Sequence, residues 1–306
     1  MNAPFSPKHK LVARKVQFDF SDSPVDWIPE DKLASHVING VNLLLPAGEF
    51  WFCRVYNKVL PYIRDEQLKE EVLGFIRQEA IHGRTHLQAQ QFLEQHGYDL
   101  QPALKRINWV FEKLLGEAPF GIAALNRPSL EKPWLFLRVG LIAAIEHFTG
   151  VLGQWSLDNS SWDKADPVIA DLFRWHLAEE VEHRTVAFDL YEHIIGHEAG
   201  FYWSRQALMV LMYPLFILAL MGTARSLGQQ DEDQAIKRLM SKNILSFLWK
   251  FEQNANTTKH IPSLSFITKA TIRWISPRFH PIHEGNTQQA LDYMARSPAV
   301  QALGLH

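Results

Sequence analysis

The sequence predicts an all-α protein organised as a four-helix bundle with additional helices at its C-terminal end. Two observations support this fold. The pattern Glu-x-x-His occurs twice, about a hundred residues apart, and each copy lies in a stretch of helix-forming residues. Two further apolar stretches are each interrupted by a single acidic residue. In chain order, the four stretches carry Glu49, Glu79 with His82, Glu146, and Glu180 with His183.

The composition limits the class of protein. Of the 306 residues, 47% are hydrophobic and 21% are charged, which is typical of a chain with a sizeable folded core. The formal net charge is −2, and no basic run is interleaved with aromatic residues, so we expect no nucleic-acid partner. The single cysteine, Cys53, excludes an intramolecular disulfide, and no secretory signal opens the chain. We therefore expect a cytoplasmic protein.

The chain divides into three predicted parts. Residues 1–38 contain four prolines and form an irregular N-terminal arm, in which apolar residues alternate between Lys8 and Asp19. This alternation is compatible with a strand or with an arm packed on the body. Residues 39–196 form the bundle, and residues 197–306 form a helical extension packed on it.

The first pair of bundle helices is predicted from apolar density and from terminal signals. Residues 35–62 form one helix, in which Pro46 implies a kink or a new start. A lone carboxylate at Glu49, among aromatic residues, is costly unless it is paired or binds a metal. The next helix covers residues 65–96 and ends at Gly97.

The second pair follows a helix over residues 100–115 and a link rich in Gly and Pro over residues 116–133. Residues 134–157 form a strongly apolar helix that contains Glu146. Asp166 and Pro167 give an N-cap and first-turn signal, and we expect the helix that they start to continue to about Ile195.

The Glu-x-x-His spacing brings a carboxylate and an imidazole to one point, because residues three apart on an α-helix lie on the same face. Mixed oxygen and nitrogen ligands without cysteine suit iron, manganese or zinc. The order Glu, Glu-x-x-His, Glu, Glu-x-x-His is that of ferritin-like di-iron carboxylate bundles. Intervals of 30 residues in the first pair and 34 in the second suit antiparallel hairpins. We therefore predict two iron ions, with manganese or zinc as alternatives.

Two additional histidines lie on the same helix faces. His86 follows His82 by four residues, and His176 precedes Glu180 by four. Either imidazole is a candidate further ligand, with a hydrogen-bonding role as the alternative. Glu179 competes with its neighbour Glu180 as the ligand, although a salt bridge is the commoner role for such a residue. The alternative to metal binding is that both motifs lie on solvated helix faces. The apolar residues that flank both motifs argue against this alternative.

Several longer motifs carry a family resemblance. They are Pro46-Ala47-Gly48-Glu49, Gln78-Glu79-x-x-His82-x-x-x-His86, Ile145-Glu146-His147, Trp175-His176-x-x-Glu179-Glu180-x-Glu182-His183 and Phe279-His280-Pro281. With these motifs the sequence resembles the family described as predicted metal-dependent hydrolases. The run His176, Glu180, His183 is also similar to the last ligand helix of the di-iron arylamine N-oxygenases. That second resemblance implies that His176 is a further imidazole ligand.

Three functions are compatible with such a centre. The first hypothesis is a di-iron oxidase or oxygenase that uses O2 on a small hydrophobic or amine substrate, with a possible protein electron donor. The alternative is a hydrolase in which two metal ions activate water. The third hypothesis is a non-enzymatic protein for iron storage or sensing, and the absence of an acidic surface bias weakens it. Fold-level analogy alone does not choose among them.

An uncharged stretch over residues 207–221 contains Pro214 at its centre. At fifteen residues it is shorter than the roughly 20 that a spanning helix needs. A buried helix is the first interpretation, a surface for a homodimer or for peripheral membrane contact is the second, and a true span is the last.

Overall fold

Helices make up all the regular secondary structure in the computed structural model, which describes residues 10–196 and 199–304. The first part contains α1 (Lys32–Val59), α2 (Glu66–Gln95), α3 (Gln101–Asn108), α4 (Pro128–Leu157), α5 (Pro167–His183) and α6 (Val186–Ile195). The second part contains α7 (Ala199–Gly228), α8 (Gln234–Met240), α9 (Ile244–Thr258), α10 (Leu264–Trp274), α11 (Thr287–Arg296) and α12 (Pro298–Gln301). The prediction of an all-α fold is confirmed for these residues.

Helices α1 and α2 form an antiparallel hairpin, and α1 continues through Pro46 without a new start. Proline has no N–H, so the carbonyl of Asn42, four residues earlier, has no partner inside the helix. Gln90 on α2 supplies one, because its side-chain amide donates to that carbonyl at 2.8 Å. This hydrogen bond from α2 therefore stabilises α1 at Pro46, where a proline would otherwise favour a kink.

Helices α4 and α5 form the second antiparallel hairpin. They approach most closely at Gly153, where an added Cβ would lie 2.3 Å from the Leu177 carbonyl oxygen. Helix α2 also runs antiparallel to α5, because Gln78 reaches His183 while His86, eight residues later, reaches His176. The arrangement of α1, α2, α4 and α5 is consistent with the predicted four-helix bundle.

One predicted helix is divided in the structure. Helix α5 ends at His183 and α6 begins at Val186, so the prediction of one helix from Pro167 to Ile195 is wrong. The break coincides with Arg184, whose guanidinium hydrogen-bonds the Val181 carbonyl and three carbonyls near Pro281. The C-terminal helices α8 and α9 are likewise separated, where Asn243 caps the first turn of α9.

The N-terminal arm packs on the body without forming a strand in its described part, residues 10–31. Leu11, Val16 and Phe20 are buried there, and Leu11 lies against Gly74 of α2. Residues 1–9 of the predicted arm lie outside the described residues. The three-part division of the chain remains a prediction.

Helix α7 extends along the bundle and packs against α1 and α4. Both α4 and α7 are long and apolar enough to cross a membrane by length and composition. The most apolar window of α4 is 72% buried, as expected for a core helix, whereas that of α7 is 39% buried. The buried-helix interpretation of residues 207–221 therefore holds only for the side that faces the bundle.

The close approach at Gly153 generates a stability prediction. Gly153→Ala should lower the free energy of unfolding by about 1–3 kcal/mol, because the new methyl group overlaps the α5 backbone. Gly222→Ala in α7 is the matched control, since nothing lies within 4 Å of its added Cβ, and it should raise the stability by about 0.5–1 kcal/mol. Chemical denaturation measures both, and equal effects of the two variants would contradict the packing described.

Candidate metal centre

Seven of the eight predicted site residues surround one point in the interior of the bundle. All seven side chains are at most 3% exposed. They come from four helices, α1, α2, α4 and α5, which explains why residues 134 positions apart in the chain meet. The seven are Glu49, Glu79, His82, Glu146, His176, Glu180 and His183.

The donor atoms fall into two neighbouring groups. One group contains Glu49, His82 and His176, and within each group the donor atoms lie within 4.8 Å of one another. The other contains Glu79, Glu146, Glu180 and His183. Ligand bonds of about 2.0–2.2 Å place donor atoms of one ion no more than about 4.4 Å apart, so each group is close to the size that a metal ion requires.

Glu180 lies between the two groups. One of its oxygens, Oε1, is 2.9 Å from His176 Nε2 and 3.5 Å from His82 Nδ1. The other oxygen, Oε2, is 3.1 Å from His183 Nε2. A single carboxylate therefore faces both donor groups with different oxygen atoms.

Several buried polar atoms of the cluster lack hydrogen bonds within the described part of the chain. Both carboxylate oxygens of Glu49, Glu79 and Glu146 have none, and neither has Nδ1 of His82. Buried polar atoms in proteins are almost always hydrogen-bonded, and a buried carboxylate without a partner is strongly destabilising. These unpaired atoms belong to the two donor groups, where His183 Nε2 lies 3.3 Å from one oxygen of Glu79 and one of Glu146 without a hydrogen bond, so the residues fit a bound cation.

The electrostatics of the cluster also require positive charge. Burial, followed by the charges of Glu180, Glu146 and Glu49, raises the pKa of Glu79 well above its ordinary value. Burial would likewise raise the pKa of Glu180, but His183, His176 and His82 lower it well below its ordinary value. The neighbouring carboxylates cannot all ionise cheaply without a cation, and metal ions would supply that charge.

The second nitrogen of each motif histidine is held by the protein. Nε2 of His82 lies 2.9 Å from Glu179 Oε2, and Nδ1 of His183 lies 3.0 Å from the side-chain oxygen of Gln78. The nitrogen that faces the cluster is thereby Nδ1 in His82 and Nε2 in His183. Such outer hydrogen bonds orient an imidazole and make it a better ligand.

His86, the eighth predicted site residue, lies behind His176 and in neither donor group. Its Nε2 is 2.6 Å from His176 Nδ1, and its own Nδ1 is 2.6 Å from the Asn42 side-chain oxygen. Burial, followed by the charges of His176 and His82, lowers the pKa of His86 well below its ordinary value. A neutral His86 can accept a hydrogen bond from His176 Nδ1 and donate one to the Asn42 oxygen in only one tautomer, so these contacts fix the direction of both hydrogen bonds.

The N-terminal arm supplies a buried cation to this network. Arg14 lies 2.8 Å from Glu179 and 2.8 Å from Glu182. Gln78 donates to Glu182 at 2.9 Å, so the same arginine supports both outer partners. Glu179 is therefore a salt-bridge partner behind His82, while Glu180 faces the cluster. Sequence reasoning did not single out Arg14 or Asn42, because neither has a local signal that relates it to residues so distant in the chain.

A cavity of about 670 Å³ adjoins the cluster. Five cluster residues form part of its wall, and nearly all of the remaining wall is aliphatic or aromatic. The five are Glu49, Glu79, Glu146, His176 and Glu180. Helices α1, α4 and α7 contribute most of the apolar wall, together with residues 103–115. The volume suits an apolar small molecule with access to the buried donors.

Comparison with known proteins gives one match. The model of a family described as "Predicted metal-dependent hydrolase" matches residues 12–285, which include the arm, the bundle and most of the C-terminal helices. No curated protein and no solved structure matches the chain.

The pairing of Arg14 generates a second prediction. Arg14→Met removes the guanidinium that lies between two buried carboxylates, so the free energy of unfolding should fall by about 3–5 kcal/mol. Lys15→Met is the control, because Lys15 is exposed and adjacent. Adding Glu182→Gln to Arg14→Met should restore part of the loss, because one of the two neighbouring buried negative charges is removed. Thermal unfolding that is identical for Arg14→Met and Lys15→Met would contradict this account.

Proposed function

The chain belongs to the family of predicted metal-dependent hydrolases, and on that premise we propose that it is an enzyme with a dinuclear metal centre and an apolar substrate. The observation that carries the proposal is that unpaired buried donors form the polar end of an otherwise apolar cavity. A substrate held by the apolar walls would present its reactive group to the donors. The family description and the two donor groups support a metal-dependent enzyme.

The two donor groups suggest how the metal ions are held. One ion would be held by Glu49, His82 and His176, the other by Glu79, Glu146 and His183, with Glu180 shared. His86 would act as the hydrogen-bond partner that orients His176. Oxygen and nitrogen donors without sulfur suit iron, manganese or zinc, and four carboxylates with three imidazoles favour iron.

Hydrolysis is the first candidate reaction, because the family description supports it better than it supports an oxidase or oxygenase. Bound metal ions would supply a hydroxide nucleophile and polarise a carbonyl or phosphoryl oxygen. The chain itself would bind an alkyl or aryl portion of the substrate along α1 and α4 and exclude bulk water. Glu180 lies between the two donor groups, with Oε1 2.9 Å from His176 Nε2 and Oε2 3.1 Å from His183 Nε2, and both groups would share it.

Oxidation of the substrate by O2 is the second candidate, and a specific observation favours it. The donors on α1, α2 and α4 lie in mid-helix and those on α5 extend to its last residue, His183. Their order is that found in di-iron carboxylate proteins, and the cavity beside them is apolar. Bound iron would supply the electrons for O2, and a protein electron donor would restore them. Tyr56 is a further candidate participant, because its buried hydroxyl has no hydrogen-bond partner in the described residues. Burial and then the charges of Glu146 and Glu79 raise its pKa, so the hydroxyl keeps its proton.

Replacing one donor residue tests whether its carboxylate binds a metal ion or only stabilises the fold. Glu79→Gln should reduce the metal content from about two ions to about one per chain or fewer. In metal-free protein the same change should leave the stability unchanged or raise it, because it removes one of several crowded buried carboxylates. Glu70→Gln, an exposed change on the same helix, should alter neither quantity. A metal-free Glu79→Gln protein that is markedly less stable than its parent would indicate a structural role instead.

A substrate screen distinguishes the two reactions. Purified protein of known metal content is offered aryl esters of increasing acyl length, and reduced protein is separately mixed with O2 and apolar amines or alkyl chains. Hydrolysis should release acid without O2 consumption, whereas oxidation should consume O2 only after reduction. In either case Val41→Trp, which places a larger side chain in the cavity wall, should raise KM for long substrates at least tenfold. Leu87→Trp, which lies outside the cavity wall, should leave KM unchanged. Equal activity of both variants on long substrates would contradict the proposed site.

A further inference from the structure

Helix α7 presents an apolar face to the outside along most of its length. Trp203 is 69% exposed and Val210 77% exposed, and three leucines continue the same exposed surface. The three are Leu211, Leu215 and Leu218. Exposed apolar patches of this extent on a protein usually mark a site of interaction. We call this surface, together with the exposed side of α10, the α7–α10 face.

Helix α10 runs antiparallel beside α7 and widens the face. The hydroxyl of Tyr213 lies 2.6 Å from Thr268 Oγ1, and the hydroxyl of Tyr202 donates to the Ile275 carbonyl at 3.0 Å. Ile272 and Ile275 of this segment are 59% and 53% exposed. The two helices are therefore held side by side with apolar side chains outward on both.

The segment that contains α7 to α10 carries a net positive charge, whereas the rest of the chain carries a net negative charge. Residues 199–283 contain ten Lys and Arg and four Asp and Glu, whereas the other residues contain 21 and 29. Lys269 and Arg278 are exposed beside the apolar residues of the α7–α10 face. Around the first turns of α9, Lys242 and Lys250 line a shallow depression together with two further exposed apolar residues, Leu245 and Trp249.

We infer that the α7–α10 face docks on an anionic lipid surface. Apolar side chains with tryptophan at the edge enter the headgroup region, while the surrounding lysines and arginines attract acidic phospholipids. A second copy of the chain fits the face less well, because a symmetric contact would place the same positive surface against itself. The opposite side of α7 packs on α1 and α4, so the helix lies on the membrane and does not span it.

The docked orientation would connect the bilayer to the cavity. Leu211, Leu215 and Leu218 are exposed on the face and also form part of the cavity wall. An apolar chain could therefore pass along α7 from the lipid to the buried donors without crossing water. This step rests on the proposed function and identifies the substrate class as one that partitions into membranes.

Sedimentation of the full chain with vesicles tests the docking. The protein should sediment with vesicles of phosphatidylglycerol and phosphatidylcholine at low salt, sediment poorly with phosphatidylcholine alone, and be released by high salt. Lys269→Glu with Arg278→Glu should lower partitioning at least about tenfold, as should Val210→Asp with Leu215→Asp. The matched controls are Arg77→Glu with Arg84→Glu and, for the apolar change, Leu87→Asp, all exposed on α2. The controls should bind vesicles as the parent does.

Three outcomes would overturn the inference. The first is equal binding of the protein to neutral and anionic vesicles, and the second is an equal loss of vesicle binding in the face and control variants. The third is a protein that binds no vesicles and forms a stable dimer, which Val210→Asp with Leu215→Asp dissociates. The last would assign the face to a second copy of the chain. Vesicle binding is measured on metal-free protein as well, so a chain that docks but holds no metal would refute the proposed function and leave the docking intact.

Discussion

The crowding of carboxylates in an apolar interior is the constraint on which the rest of the structure depends. Glu49, Glu79, Glu146 and Glu180 are each at most 3% exposed, and the first three have no hydrogen bond to the described residues. A core built for stability alone would place leucine or phenylalanine there. Burying these carboxylates where the four helices meet lowers the stability of the metal-free fold, and bound cations would offset this loss.

The surroundings of the cluster serve to hold its imidazoles in place. Each ring that faces the cluster is fixed through its other nitrogen, by Glu179, by Gln78 or by His86. These partners are themselves fixed, by Arg14 from the N-terminal arm and by Asn42 from α1. The arm, which has no regular secondary structure in its described part, is therefore a component of the site rather than an appendage. The apolar cavity adjoins this arrangement and would lead a hydrophobic ligand to the buried carboxylates in its wall.

Features with a local sequence signal were predictable, and features that depend on distant contacts were not. The all-α class follows from helix-forming stretches with clear terminal signals, and Glu-x-x-His spacing within them predicts which side chains share a face. The structure brings seven of the eight predicted residues together, although their assignment as ligands remains a prediction. Arg14 lies 165 positions from Glu179, and no periodicity relates the two. The end of α5 at His183 was missed for the same reason, because Arg184 bonds carbonyls about a hundred residues later.

A crystal structure with anomalous diffraction recorded on both sides of the absorption edges of iron, manganese and zinc tests the central claim most directly. We expect two anomalous peaks at the cluster, one beside Glu49, His82 and His176 and the other beside Glu79, Glu146 and His183, with Glu180 next to both. Peaks elsewhere, or ordered density in which the carboxylates pair with protons or water and no metal is bound at any concentration offered, would contradict it.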